Sequence, residues 1–479
     1  MISFIVALVL LIVGYITYGA LVERVFGIDT RRTTPALAQT DGVDFVPMSG
    51  WRIFLIQFLN IAGLGPIFGA IMGIMFGTSA YLWIVFGTIL AGGVHDFMSG
   101  MMSVRHRGQS MPEIVGEQMG RGMRYFMRLF SIVLLVLLTA VFTSGPAGLL
   151  HGMLPSLSLP LWTLIIFVYY ILATLLPVDK LIGRFYPIFG AALLIMAVGI
   201  GGAMLLGHAA DMPEVFRASD IANHNPDGYP IFPMMFVSIA CGAVSGFHST
   251  QSPLMARCLT NERQGRRIFY GAMVAEGIVA LIWAAAAGTF FGGIDGLNLF
   301  AQTHPNTASD VVSTISNDWL GIVGGILAVL GVVAAPITSG DTALRSARLI
   351  VADLLGWEQR SVRKRLLIAV PLFVLVFVLL QVDFAAVWRY FSWSNQTIAT
   401  IVLWTGAIYL ARQHRCYWIC LIPAVFMTMV TTGYIFIAPE GFDLAPQHRW
   451  VAHVIAAVTD LIATCGFFWW LRRQSKEHA

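Results

Sequence analysis

Charged residues are the scarcest component of this sequence. Asp, Glu, Lys and Arg make up 11% of its 479 residues and hydrophobic residues 57%, whereas a soluble domain carries about 25% charged residues. A soluble fold of this length is therefore excluded. Cysteine is sparse too. Cys241, Cys258, Cys416, Cys420 and Cys465 form no CxxC pair. Cys416 and Cys420 share a helix face with no His beside them, so they read as small buried apolar residues. No Walker or Rossmann glycine pattern occurs, and no soluble domain is large enough to hydrolyse nucleotide. The start, M-I-S-F-I-V, lacks the basic n-region of a cleaved signal peptide, so the first apolar run is expected to be retained. His95, His151, His208, His248 and His453 do not pair at the helical spacing that a haem or metal cluster needs, which argues against a membrane enzyme or redox subunit. No metal, cofactor or catalytic residue is expected.

What is abundant is long apolar sequence. Mean hydropathy is +0.77, and windows of 18 or more apolar residues, each long enough for a bilayer core, recur throughout. Thirteen spans are expected, near residues 2–22, 53–76, 79–102, 127–150, 160–178, 185–207, 231–253, 268–291, 319–338, 366–383, 391–410, 416–437 and 451–471. The alternate connections 24–52, 103–128, 179–184, 254–267, 339–365, 412–415 and the tail after Leu471 hold 26 of the 29 Lys and Arg residues. The other side keeps only Arg217, Arg389 and Arg449. This bias makes the basic side cytoplasmic, with the N-terminus outside and the C-terminus inside. The net charge of +4 thus serves anchoring at the inner surface, and no nucleic-acid partner is implied. The fold class is an all-α polytopic membrane protein.

Two spans carry breaks. The second contains N-I-A-G-L-G-P, Asn60 to Pro66, and the seventh runs I-A-C-G-A-V-S-G-F-H-S-T-Q-S-P, Ile239 to Pro253. Glycine and proline there disfavour a continuous helix. Freed backbone groups are tolerated in a bilayer only where protein or a wet cavity satisfies them. A proline kink with helix packing is the bland alternative for either break alone. The breaks lie five spans apart and so cross the membrane in opposite directions, as an inverted repeat of five plus five helices requires. The expected organisation is a first helix and loop (1–50), a first repeat (51–208), a second repeat (209–411) and two terminal helices with a tail (412–479). Gly65, Gly69, Gly73 and Gly77 recur every four residues and offer a smooth ridge to a neighbouring helix.

The breaks would present helix N-termini to a substrate carboxylate and carbonyls to a cation. Candidate substrate residues are Asn60, Gly63, Gly65, Ser245, His248, Ser249 and Thr250. The ninth span ends in A-P-I-T-S-G-D, Ala335 to Asp341. There Thr338 and Ser339 can join unwound carbonyls of the first break, Ala62 among them, around Na⁺. The alternative is a capped helix end, with Asp341 starting a cytoplasmic helix. Asp96, Glu276 and Asp460 are the carboxylates well placed inside spans, and such groups are functional candidates by default. Asp96, beside His95, and Glu276 are proton-coupling candidates or structural hydrogen-bonders. Asp460 reads as a structural hydrogen bond between helices. His248 can bind an anion, gate protonation or simply pack.

The segments I-A-G-L-G-P-I-F-G, G-G-V-H-D-F-M, I-A-C-G-A-V-S-G-F-H-S, A-P-I-T-S-G-D-T-A-L-R-S-A-R-L-I and W-S-N-Q-T-I-A, between about residues 55 and 405, resemble the carbon starvation protein A family, also called the peptide transporter carbon starvation family. The chain resembles a short form of it. The resemblance implies the amino acid–polyamine–organocation superfamily and its leucine-transporter-type inverted repeat. It also implies secondary uptake of small carbon sources, peptides or pyruvate, coupled to H⁺ or Na⁺ across the bacterial inner membrane. His95 stands where larger members have Gln, and P-I-F-G-A stands where they have P-L-V-G-P. A channel, or a nutrient sensor built on the same scaffold, is the alternative function.

Overall fold

The computed structural model describes residues 1–41, 45–175, 179–357 and 362–477, with side chains except at 174, 175, 179–187, 362 and 475–477. The basic pair expected in the connection 179–184 therefore lies outside the described side chains. Among the described residues the regular structure is all helical. The principal helices are α1 Ile2–Phe26, α2 Gly50–Ile61, α3 Gly65–Ile74, α4 Ser79–Arg105, α5 Arg121–Met153, α6 Leu159–Leu175, α7 Asp179–Gly207, α8 Ile231–Ser238 and α9 His248–Ala256. They continue as α10 Glu262–Phe290, α11 Thr307–Leu355, α12 Val362–Leu379, α13 Phe384–Arg412, α14 Trp418–Ile437 and α15 Arg449–Glu477. Shorter helices, Met111–Met119 and Ile294–Thr303 among them, lie in the connections.

Every expected span falls on a helix or a broken helix pair. Among the described residues, eight helices, or nine with the bent pair α2 and α3, are long and apolar enough to cross a membrane alone. The other expected spans fall on the short α6, the divided α8 and α9, and α12 and α13. The polar side chains that α13 buries, such as Asn395 and Gln396, dilute its hydropathy because they face protein.

Both breaks are present. Ala62 leaves the helical region (φ −83°, ψ 48°) and ends α2. Pro66 then sits in the first turn of α3, where a missing N–H costs nothing, and the chain bends by 48°. The second break spans 239–247. The glycine ridge of α3 lies directly against it. A Cβ on Gly65 would overlap the Cys241 side chain, one on Gly73 would overlap Ile239, and one on Gly69 would sit 3.0 Å from the Ser238 carbonyl oxygen. Gly77 departs from the ridge: it follows α3 with φ +122°, facing the carbonyl of Ala222. The expected close approach is thus a contact of one broken helix with the other. α3 also packs on α10, α9 on the second half of α4, and α11 on α5.

The ninth span differs from expectation. Gly321 (φ 57°, ψ −144°) kinks α11, and a π-helical turn at Val329–Ala334 leads into Ala335–Leu355 without interruption. The helix therefore continues past Asp341 to Leu355, with Pro336 directly after the π-helical turn.

At the end of the bundle that carries the basic connections, Glu262 is fully buried. It accepts from Arg105 Nε at 2.6 Å and Nη2 at 2.7 Å, and from the Asp29 backbone N–H at 2.7 Å. Arg105 Nη2 also donates to the Gly27 carbonyl at 3.0 Å. This ties α1, α4 and α10 together. Glu262→Ala leaves a partly buried guanidinium without its carboxylate, at a cost of about 3 kcal/mol, the low end for a buried pair. It should lower the thermal midpoint and speed maleimide labelling of buried Cys258 in a protein whose exposed Cys416 and Cys465 are replaced by Ser. Unchanged labelling would show that the pair does not hold this end shut.

Candidate coupling and substrate site

The backbone of the second break is satisfied by side chains from helices distant in sequence. Asn395 of α13 donates through Nδ2 to the Ala240 carbonyl (3.2 Å) and accepts at Oδ1 from the Phe247 N–H (2.6 Å) and the Ser245 hydroxyl (3.2 Å). The Asn395 carbonyl takes the Gly246 N–H at 3.1 Å. Thr88 of α4 donates to the Gly242 carbonyl at 3.1 Å. Gln396 and Trp83 both donate to the Phe236 carbonyl, at 2.5 and 3.2 Å. One asparagine thus satisfies the Ala240 carbonyl and the N–H groups of Gly246 and Phe247, the kind of partner that unwound backbone away from water requires.

Beside this segment lie four ionisable side chains, His95, Asp96, His248 and Glu276, all fully buried. Asp96 accepts at Oδ1 from His95 Nδ1 and at Oδ2 from His248 Nδ1, both at 2.8 Å. His248 Nε2 is 3.3 Å from Glu276 Oε2, yet neither atom makes a well-directed hydrogen bond. The two helices bearing the acids each contain a π-helical turn just ahead of them, Gly87–Gly92 before Asp96 and Arg266–Tyr270 before Glu276. Such turns shift the register of the side chains that follow.

The proton inventory follows from these contacts. With both Nδ1–H groups donating to the Asp96 carboxylate, a neutral His248 turns an Nε2 lone pair toward a Glu276 oxygen. Two lone pairs face each other unfavourably at a fully buried site, and one proton between them relieves this. The cluster thus has a place for one proton between His248 Nε2 and Glu276 Oε2. Cys241 lies near: its sulfur, an imidazole nitrogen of His248 and a Glu276 oxygen lie within 4.8 Å of one another. That is a donor spacing compatible with a metal. The sulfur already accepts from Asn395 Nδ2 and pairs with the Ser245 hydroxyl, each at 3.5 Å, and His248 Nδ1 is committed to Asp96. With His248 Nδ1 on Asp96, Nε2 is the nitrogen turned toward Glu276.

The other sequence candidates are placed as follows. Ser249 and Thr250 donate to the carbonyls of Gly246 (2.6 Å) and Phe247 (2.7 Å), stabilising the first turn of α9. Asn60 is buried in the last turn of α2. Gly63 lies under the Phe142 ring, where a Cβ would come within 3.0 Å, and Gly65 lies against Cys241. Neither of these glycines has positive φ, so close approach is what requires them. Thr338 and Ser339 both donate to the Ala335 carbonyl, at 2.7 and 3.1 Å, inside α11. That helix touches α2, whose end Ala62 forms. The expected hydrogen bond at Asp460 is missing at Oδ1, which has no partner among the described residues.

A cavity of about 450 Å³ opens beside the connections expected outside, lined by Met72, Met234, Ser238, Trp388, Arg389 and Tyr434 among others. None of the sequence candidates lines it. Sequence reasoning missed Trp388 and Ser392, and it counted Arg389 only as a cation on the sparse side.

The chain matches the family model for carbon starvation protein CstA over residues 1–156, 149–324 and 320–433. An uncharacterized membrane protein of Haemophilus influenzae is 44% identical over 339 residues, covering 61% of this chain and 91% of that protein. The peptide transporter CstA of Escherichia coli is 25% identical over 549 residues (88% and 78% of the two chains), and its pyruvate/proton symporter BtsT is 28% identical over 348 residues (59% and 48%). Among solved structures, a manganese transporter of Eremococcus coleocola superposes with a TM-score of 0.56 at 13% identity, covering 92% of this chain and 99% of that one. That likeness shows a shared fold. The matched segments run through both breaks, the buried cluster and α13, and on that coverage this chain belongs to the carbon starvation protein CstA family.

Proposed function

We propose that this chain is a proton-coupled symporter that takes up a small carboxylate-bearing carbon source, pyruvate or a peptide, across the bacterial inner membrane by alternating access. The observation that carries the reading is the fully buried cluster of His95, Asp96, His248 and Glu276 on α4, α9 and α10. Intramembrane ionisable groups are costly and mark ion pathways, and this group has a place for one transferable proton. It abuts the unwound segment 239–247, so a change in its charge bears directly on the backbone of the second break. Relatives named as a peptide transporter and a pyruvate/proton symporter support the same substrate classes. The N-terminus is taken as outside, from the distribution of Lys and Arg.

The test is uptake of labelled pyruvate and of L-alanyl-L-alanine into proteoliposomes under separately imposed proton and Na⁺ gradients. Accumulation is expected under the inward proton gradient alone. Accumulation under Na⁺ alone would move coupling to Ala62, Thr338 and Ser339. Equal flux with no gradient would make the protein a channel.

A further inference from the structure

We propose that the outer cavity is a binding antechamber for the substrate's carboxylate, built by Trp388, Arg389 and Ser392 in the first turns of α13. Trp388 and Ser392 stand one helical turn apart and so share a face, with Arg389 beside them. Their side chains line the same cavity. The Trp388 indole N–H and the Ser392 hydroxyl are buried and have no partner, although each residue is only 1% exposed. Buried polar groups are paired in the great majority of structures, and these two are not, in residues that line one cavity and lie beneath its wall.

Arg389 is held for the same task. Its Nε donates to Glu440 Oε2 at 3.0 Å. Glu440 is itself fixed by the Tyr434 hydroxyl at 2.5 Å, and its carbonyl accepts from Tyr390 at 3.0 Å. The guanidinium is thus pinned at one nitrogen, while among the described residues neither Nη group is hydrogen-bonded within the protein. Two parallel N–H groups match a carboxylate in bidentate fashion. Met72, Met75, Phe76 and Met234 supply an apolar wall suited to a short aliphatic body, and the volume lies in the range of small-molecule sites, about 300–1,000 Å³. The exposed Asp227, also on the lining, meets the ammonium of a peptide and stays solvated beside a simple monocarboxylate. The floor includes Ser238, the residue before the second break, so a ligand held here waits next to the unwound backbone.

This deepens the proposed uptake of carboxylates and rests on it for the ligand's identity. The test is therefore binding to the purified full chain, without transport. Isothermal titration with pyruvate, L-alanyl-L-alanine and the neutral pyruvamide should show binding of at least one carboxylate and none of pyruvamide. Stronger binding of the dipeptide assigns a role to Asp227; stronger binding of pyruvate assigns the site to Arg389 alone. Arg389→Gln is expected to weaken binding by about tenfold or more, and Ser392→Ala by about fivefold. Arg217→Gln, a change at an outer cation away from the cavity, should have no effect. Ser392→Ala leaves the Arg389–Glu440 pair intact, so it reads the site even if Arg389→Gln destabilises the protein. Unchanged affinity in both variants, equal binding of pyruvamide, or no carboxylate binding by the wild type would each overturn the antechamber. Loss of proton dependence with binding intact would overturn only the coupling reading.

Discussion

Asp96→Asn is expected to reduce gradient-driven accumulation to background while exchange of labelled for unlabelled substrate continues. Asparagine keeps the shape of the side chain and one acceptor, and it can donate to whichever imidazole turns its Nδ1 lone pair inward. The fold should therefore survive, with a small shift in thermal midpoint. What disappears is the fixed negative charge between His95 and His248, and with it the reason for the proton between His248 and Glu276 to be held there. Exchange returns the carrier loaded and needs no net proton movement; accumulation needs the proton to be released inside. The measurement compares the two modes in the same proteoliposomes. Accumulation close to the wild type would eliminate the cluster as the coupling site. Loss of both modes in a protein of normal thermal stability would shift Asp96 from coupling to substrate contact.

The parts of this architecture that are local in sequence were legible there. Gly63, Gly65 and Pro66 act on their own backbone, so the first break could be read from seven residues. Asp96, His248 and Glu276 stood out because an ionisable group in an apolar run is conspicuous wherever it points. Their meeting was not legible. Asp96 and His248 are 152 positions apart, and only the packing of α9 on α4 brings them together. The four-residue glycine period announced a close approach without naming its partner, which is the second break. Thr338 and Ser339 were legible as adjacent hydroxyls, but the sequence did not show that both bond the Ala335 carbonyl inside a helix that runs on to Leu355. Asn395 gave no signal of its own role. An amide in the middle of a span states that something must satisfy it, and the sequence does not say that it satisfies the backbone of another helix.

That role makes Asn395→Ala the substitution with the largest expected structural effect. The change leaves the Ala240 carbonyl without the Asn395 amide and the Phe247 N–H without its acceptor, in a segment that has no helix ladder of its own. Each stranded buried group costs about 1–3 kcal/mol, so the loss should reach about 2–6 kcal/mol, with uptake abolished. Thr88→Val removes a single bond, to the Gly242 carbonyl, and should cost about 1–3 kcal/mol with uptake reduced. Asn395→Leu separates the hydrogen bonds from the space they fill: it has similar volume and denies a replacing water the room that alanine leaves, so it should be at least as destabilising as alanine. Thermal unfolding of the three purified variants gives the order. If Asn395 matters only by filling space, leucine will rescue alanine and Thr88→Val will match it. If it matters as the partner of the unwound backbone, leucine will rescue nothing, because the groups it leaves unpaired have no water to turn to.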